Sequence, residues 1–92
     1  MATKKSIITA DIDTCYLCGG RASEIHHCLH GTANRKLADQ YKLVVGLCGN
    51  CHRLLHDKNR GDMILKMQAQ DAFEKQCGSR LEFINIFGRN YL

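Results

Sequence analysis

The chain has 92 residues, 13 lysines and arginines against nine acidic residues, and a formal net charge of +4. This length allows one small domain with a modest core, for which a bound metal is a reasonable stabilising element. No apolar run approaches the roughly twenty residues of a transmembrane helix, and the N-terminus lacks the apolar segment of a secretory signal. These features exclude a membrane protein and predict a cytoplasmic one, where paired cysteines more often bind metal than form disulfides.

The positive charge is unevenly distributed along the chain. Residues 1–60 hold nine Lys and Arg against five Asp and Glu, a difference of +4, and residues 61–92 hold four against four, a difference of zero. Because the excess lies on the part that carries the cysteine and histidine motifs, it favours a polyanionic partner such as DNA or RNA. An ordinary soluble surface accounts for the same excess almost as well.

The pattern of apolar and turn-forming residues predicts a small α+β domain. In chain order, we expect an N-terminal arm over 1–13 with a short edge strand at 7–9, strands over 24–29 and 43–47, a polar loop over 30–36, a helical turn over 37–41, and a helix over 51–58.

The C-terminal third is predicted to be helical. Residues 62–76 form an amphipathic pattern whose apolar stripe is Ile64 or Leu65 with Ala69, Ala72 and Phe73, and Gly78 is a plausible helix end. Ser79 and Glu82 then match a capping box, which predicts a final short helix closed by Gly88. The chain lacks proline and so has no rigid linker. We therefore expect 61–92 to pack on the preceding residues within a single domain over 1–92.

The cysteines give the most specific signal. Cys15 and Cys18 form one Cys-x2-Cys pair, and Cys48 and Cys51 form another after 29 intervening residues. Four thiolates at about 2.3 Å from one ion make the closed tetrahedral shell of a structural zinc site. Disulfides or a redox-active pair are the alternatives, although the thioredoxin-like pattern that accompanies a redox pair is missing. The remaining two, Cys28 and Cys77, are predicted to be small buried residues.

The histidines form a second constellation. His26 and His27 are adjacent after the first cysteine pair, whereas His52 and His56 are four residues apart and share a helical face. If both cysteine pairs bind one zinc, the strand and the helix that carry these histidines must be neighbours. Neutral imidazole is both a good metal ligand and a good base near neutral pH. We therefore predict a second, catalytic metal site; the alternative is that His52 or His56 replaces a cysteine at the zinc.

These residues resemble a known family. Glu-Ile-His-His at 24–27, followed by Gly-Leu-Cys-x2-Cys-His-x3-His at 46–56, is similar to the HNH endonucleases with a ββα-metal core. The likeness covers roughly residues 14–58, and a weaker whole-sequence likeness to small bacteriophage and prophage HNH proteins extends almost to the C-terminus. It implies a zinc-stapled ββα core over 14–60 with one or two helices packed on it. The implied location is the bacterial host cell.

The resemblance also implies roles for single residues. His27 matches the general base, His26 and His56 match metal ligands, and His52 matches a position that is a ligand in some relatives and structural in others. The four paired cysteines match the zinc-stapled subset of the family. Mg²⁺ or Mn²⁺ is the implied catalytic ion, with Ni²⁺ or Zn²⁺ as alternatives at a histidine-rich site. The implied products of cleavage are a 5′-phosphate and a 3′-hydroxyl.

The chain departs from the family at the middle position of the motif, just before the second strand. Lys42, Leu43 and Val44 cannot fill this position, and Asn34, earlier on the same stretch, is the candidate for the missing catalytic residue. A regular strand also sends neighbouring side chains to opposite faces, so His26 and His27 can share a site only if the strand ends or twists there.

The resemblance and the basic charge also imply binding partners. DNA is the expected substrate, with Arg35, Lys36 and Arg53 as candidate phosphate contacts. A homodimer or another phage DNA-processing protein is an open further partner. The alternative function is a non-catalytic zinc module that binds nucleic acid or an inactive HNH relative, and a zinc-stapled protein adaptor is a third.

Overall fold

A computed structural model describes residues 5–29, 32–58 and 61–92. The domain is small α+β, with a two-stranded antiparallel sheet and four helices. In chain order the elements are β1 (Glu24–His27), α1 (Thr32–Gln40), β2 (Val44–Leu47), α2 (Gly49–Lys58), α3 (Asp62–Gln76) and α4 (Arg80–Phe87). Among the described residues, no helix combines the length and apolar character needed to span a bilayer.

The sheet is a short hairpin-like pair in which Glu24 lies opposite Leu47 and His27 lies opposite Val44. All four residues of β2 are buried, whereas β1 has two exposed residues followed by buried His26 and half-buried His27. Helices α1 and α2 both contact β1. Since successive side chains of a strand point to opposite faces, β1 can supply neighbouring residues to two different surroundings.

The first cysteine pair lies on a turn that folds back against β2. An isolated bridge joins Thr14 to Arg21, and the amide of Cys15 donates to the carbonyl of Gly20. The amide of Tyr16 donates to the carbonyl of Gly46 at 2.9 Å, which holds the turn against the strand. A Cβ atom at Gly46 would overlap the carbonyl oxygen of Ile12, so glycine at this position permits the close approach.

Helices α3 and α4 close the core on the other side. Phe73, Phe83 and Phe87 are buried and pack edge-on or tilted against one another, with Tyr41 at the end of α1 joining Phe73 at a ring separation of 5.4 Å. Ring pairs in such arrangements add to the burial of their apolar area. This aromatic cluster explains why α4 packs against α1 and why the C-terminal third belongs to the same core.

The two C-terminal helices match their prediction. Helix α3 spans Asp62–Gln76 and buries Leu65, Ala69, Ala72 and Phe73. Ser79 and Glu82 form the predicted capping box at the start of α4, and Gly88 ends that helix in the left-handed conformation. The chain leaves α3 through Cys77, and the amide of Gly78 also donates to the carbonyl of Phe73.

The N-terminal half corrects several predictions. No strand forms at 7–9, where the chain bends and the amide of Ile7 donates to the carbonyl of Lys42. The predicted strand over 24–29 ends at His27, and the predicted strand over 43–47 begins at Val44. Helix α2 starts at Gly49, two residues before the prediction.

The largest correction concerns α1. The loop predicted over 30–36 is helical from Thr32 onward, and the predicted turn over 37–41 is the second half of that helix. Positions 30 and 31 lie outside the described residues. The segment is polar, but most of it consists of strong helix formers, and its few apolar side chains, including buried Ala38, reach the core. A helix of this length needs only a few buried side chains to hold it in place. The rest of its sequence can therefore be polar, and this composition is also typical of a loop.

We expect Gly46→Ala to destabilise the fold by about 1–3 kcal/mol or more, because the added methyl group meets backbone that cannot move away easily. Urea denaturation of the zinc-loaded protein would measure the change in the free energy of unfolding. Gly20→Ala is the matched control, since its new Cβ would lie at an ordinary 3.5 Å from the sulfur of Cys18. Equal stability of the two variants would contradict the proposed close approach.

Candidate metal centres

Four cysteine side chains converge between the first turn and the start of α2. Cys15 and Cys18 come from the turn, Cys48 follows β2, and Cys51 lies in the first turn of α2. Their four sulfur atoms lie within 4.8 Å of one another, and those of Cys18 and Cys48 are 3.7 Å apart. Sulfurs bound at 2.3 Å in a tetrahedral zinc shell are about 3.8 Å apart. The cluster could therefore hold a metal ion such as zinc, and none of the six cysteines, all of which are described, is in a disulfide.

Backbone amides favour thiolates in this cluster. The amide of Gly20 points at the sulfur of Cys18 at 3.5 Å, and that of Cys51 points at the sulfur of Cys48 at 3.4 Å. Burial raises the pKa of Cys15, but hydrogen bonds from the amides of Cys48, Cys18 and Leu17 outweigh it and lower this pKa to about 6.

The crowding of sulfurs has the opposite effect on other members of the cluster. Burial, followed by the neighbouring thiols of Cys48, Cys15 and Cys18, raises the pKa of Cys51 to about 12. One thiolate therefore forms readily, and its negative charge opposes the ionisation of the next. A divalent cation at the centre removes this repulsion, which is the electrostatic reason that the four thiols fit a metal.

Three imidazoles form a second cluster about α2. His26 comes from β1, and His52 and His56 lie one turn apart on α2. The ring of His26 is 5.3 Å from that of His52 and 5.9 Å from that of His56, measured between centroids. One ring nitrogen from each lies within 4.8 Å of the others, and the Nε2 atoms of His52 and His56 are 3.1 Å apart. Two nitrogens bound at 2.0–2.1 Å to one ion are about 2.9–3.4 Å apart, so this spacing suits a shared cation.

Glu24 orients one of these imidazoles. Its Oε1 atom lies 2.6 Å from Nδ1 of His52. A carboxylate accepts hydrogen bonds, so Nδ1 carries the proton and Nε2, which faces His56, keeps its lone pair. This is the arrangement by which a carboxylate fixes the tautomer of a metal-binding histidine. The sequence contains a signal for this contact, since residues 24 and 26 lie on the same face of a strand.

His27 lies on the other face of β1. Its Nε2 atom is 3.4 Å from Oδ1 of Asp39 on α1. Both histidines nevertheless line one cavity of about 260 Å³, together with Ile25, Arg35, His52 and His56. The strand ends at His27 and the chain bends at Cys28, so the end of the strand lets the two faces reach a common space.

A second cavity flanks the cluster. It has a volume of about 310 Å³ and is lined by Glu24, Gly49, His52, Arg53 and His56. Arg35 thus lines one of the two cavities that border the imidazole cluster, and Arg53 lines the other. The described residues that line these two cavities do not include Asn34, which is half-buried on α1, or Lys36, which is exposed.

The two remaining cysteines differ from each other. Burial, and then the carboxylate of Asp62, raises the pKa of Cys28 to about 12, so this thiol stays neutral as a small core residue. Cys77 is exposed after the end of α3, and the prediction that it is buried was wrong. It caps a helix whose apolar stripe ends at Phe73, which leaves its side chain at the surface.

Comparison of the chain with protein-family models, with curated proteins and with solved structures finds no match.

We expect Cys18→Ser to abolish tight metal binding at the sulfur cluster and to lower the melting temperature, because a structural metal site contributes its binding energy to folding. Cobalt substitution would report the loss directly, since tetrahedral thiolate-bound Co²⁺ absorbs strongly in the visible. Cys77→Ser is the control, because its sulfur is outside the cluster. An unchanged cobalt spectrum in Cys18→Ser would refute the four-sulfur site.

Glu24→Gln should weaken metal binding at the imidazole cluster about 10- to 100-fold, because the amide no longer fixes the tautomer of His52. Isothermal titration of the zinc-loaded protein with Ni²⁺ measures this affinity separately from the sulfur cluster. Asp57→Asn removes an equal charge from an exposed position on α2 and should have little effect. Equal losses in both variants would indicate a general effect of charge instead of a specific contact.

Proposed function

We propose that this protein is a metal-dependent endonuclease of the HNH type that hydrolyses DNA phosphodiester bonds. The observation that carries the proposal is the shared cavity. Three imidazoles spaced as ligands of one cation, a fourth imidazole and the guanidinium of Arg35 all face it. This combination provides a cation site, a base and a phosphate contact within one small space.

The connection of the elements supports the same proposal. An antiparallel strand pair followed directly by a helix carries the imidazole cluster between strand and helix. The chain order and the position of the cluster agree with the ββα-metal arrangement that the sequence resembles. The additional helix α1, inserted between the strands, brings Arg35 and Asp39 to this region.

The ligand atoms of the imidazole cluster determine which metal ion it prefers. Its three protein ligands would be His26, His52 and His56, which leaves coordination positions for solvent and substrate, as at catalytic metal sites. Imidazole nitrogen suits Zn²⁺, Ni²⁺ and Fe²⁺, whereas Mg²⁺ and Mn²⁺ prefer oxygen ligands. The cluster therefore favours a transition-metal ion over the Mg²⁺ or Mn²⁺ that the resemblance implies.

The chemistry divides between the cation and the protein side chains. A divalent cation bound here supplies Lewis-acid stabilisation of the charge that develops on the phosphate and on the departing 3′ oxygen. Neutral His27 takes a proton from water as the water oxygen bonds to phosphorus and the bond to the 3′ oxygen breaks. The 3′ oxygen is then protonated by solvent, which gives a 5′-phosphate and a 3′-hydroxyl.

Arg35 and Arg53 fit a role in holding the DNA strand. Each lines one of the two cavities that border the imidazole cluster, so both guanidinium groups lie beside the proposed cation site. Guanidinium groups bind phosphate oxygens through paired hydrogen bonds. The excess of basic residues in 1–60 adds a sequence-independent attraction for the polyanion.

The test is nicking of supercoiled plasmid by the zinc-loaded protein with Mg²⁺, Mn²⁺, Ni²⁺ or Zn²⁺ added in turn. His27→Ala should lower the rate about 10²- to 10⁴-fold, the usual contribution of a positioned general base. Its metal binding should persist, because His27 is outside the set of three ligands. His26→Ala should lose both metal binding at the imidazole cluster and activity.

Asn85→Ala, an exposed substitution on α4, is the control for purification and folding. A wild-type protein that shifts DNA in a gel and never cuts it, with any of the four ions, would support the non-catalytic zinc module instead. A protein that neither binds nor cuts DNA would support the adaptor. Equal nicking by wild type and His27→Ala would indicate a contaminating nuclease.

A further inference from the structure

Helix α1 presents a carboxylate to the imidazole that we propose as the base. Oδ1 of Asp39 lies 3.4 Å from Nε2 of His27. The side chain of His27 is 17% exposed and that of Asp39 is 49% exposed, so the histidine is largely enclosed while the carboxylate still reaches solvent. A carboxylate with this much solvent loses little hydration on approaching an imidazole.

Asp39 reaches His27 because of the helical repeat of α1. Arg35 and Asp39 are four residues apart, which places them on one face of the helix. Arg35 lines the cavity of the imidazole cluster, and Asp39 contacts the histidine at the edge of that cavity. One helix face therefore carries a phosphate-binding group and a group directed at the proposed base.

The two faces of β1 show a parallel pattern. On one face, Glu24 holds Nδ1 of His52 and leaves Nε2 towards the metal cluster. On the other face, Asp39 faces Nε2 of His27, which leaves Nδ1 as the ring nitrogen opposite the carboxylate. The two carboxylates approach different ring nitrogens, and a carboxylate favours the tautomer whose proton lies on the nitrogen that it faces.

We propose that Asp39 is a positioning residue that holds His27 in the tautomer with the proton on Nε2 and the lone pair on Nδ1. This inference rests on the endonuclease function proposed above. Nδ1 then accepts the proton of the attacking water, and the resulting imidazolium donates from Nε2 to the carboxylate. Asp39 orients the ring before the reaction and stabilises its positive charge afterwards, and it does not itself accept the proton.

The experiment compares Asp39→Ala and Asp39→Asn with wild type in single-turnover and steady-state cleavage of a fluorescent DNA duplex. Asp39→Ala should lower kcat about 100-fold, as expected for a misplaced reacting group, while KM and the Ni²⁺ affinity change less than about twofold. Asp39→Asn keeps an acceptor oxygen without the charge and should fall between the two. Gln40→Ala, the exposed neighbour on α1, controls for disturbance of the helix.

A second measurement is independent of cleavage. The ¹⁵N NMR signals of the imidazole nitrogens distinguish the two neutral tautomers. In wild type loaded with zinc at the sulfur cluster, His27 should show a proton on Nε2, and Asp39→Ala should show a mixture of tautomers. This loss of tautomer selection is the effect that a merely structural role for Asp39 would not produce.

The outcomes separate this inference from the proposed function. Loss of kcat and of tautomer selection in Asp39→Ala, with metal affinity kept, supports the positioning role. Wild-type kcat in Asp39→Ala while His27→Ala is inactive overturns that role and leaves the endonuclease standing. A wild-type His27 with its proton on Nδ1 also overturns it. A metal-loaded wild type that never cuts overturns the endonuclease and, with it, the role of Asp39.

Discussion

The convergence of four sulfurs brings together the strand and the helix that carry the imidazole cluster. The first cysteine pair immediately precedes β1, and the second begins α2, so their meeting brings this strand and this helix together at their adjoining ends. Helix α2 then extends across β1, and His52 and His56 reach His26. A metal ion bound by the four sulfurs would cross-link these elements and stabilise a chain with a modest core. The imidazole cluster lies between the two elements that the sulfurs bring together.

The two clusters differ in the ligands that they offer to a metal ion. Four sulfurs around one ion would complete a tetrahedral shell and leave no position for substrate. Three imidazoles leave positions open, and they border cavities that also contain Arg35 and Arg53. The charges differ as well, because thiolates neutralise a divalent ion and neutral imidazoles leave its charge available to a phosphate. This contrast in ligands is the basis for proposing one stabilising site and one reactive site.

The features that the sequence predicted correctly are those that local spacing along the chain determines. The i, i+4 pair His52 and His56, the two Cys-x2-Cys pairs and the capping box at Ser79 are all local patterns, and the structure contains each of them. Helix α1 was missed because its polar composition hides a helix held by few buried side chains. Asp39 was missed for a related reason, since a carboxylate on a predicted turn has no defined direction.

Other side-chain contacts join residues that are far apart in the sequence, and local spacing does not predict them. Glu24 was part of the motif that suggested the family, yet its contact with His52 joins residues 28 positions apart. The sequence raised the question of how two adjacent histidines of a strand can share one site. His26 and His27 do occupy opposite faces of β1. The end of the strand at His27 resolves it, and that boundary was predicted two residues too late.

The pairing of β1 with β2 has an implication for how this domain tolerates change. A strand that slips by one position exchanges its two faces, whereas a slip of two preserves them. A single-residue insertion between Arg21 and Glu24 that shifted β1 against β2 would turn His26 towards α1 and His27 towards α2. The proposed ligand and the proposed base would exchange faces, so small length changes ahead of this strand should be far more damaging than substitutions at exposed positions of α3 or α4.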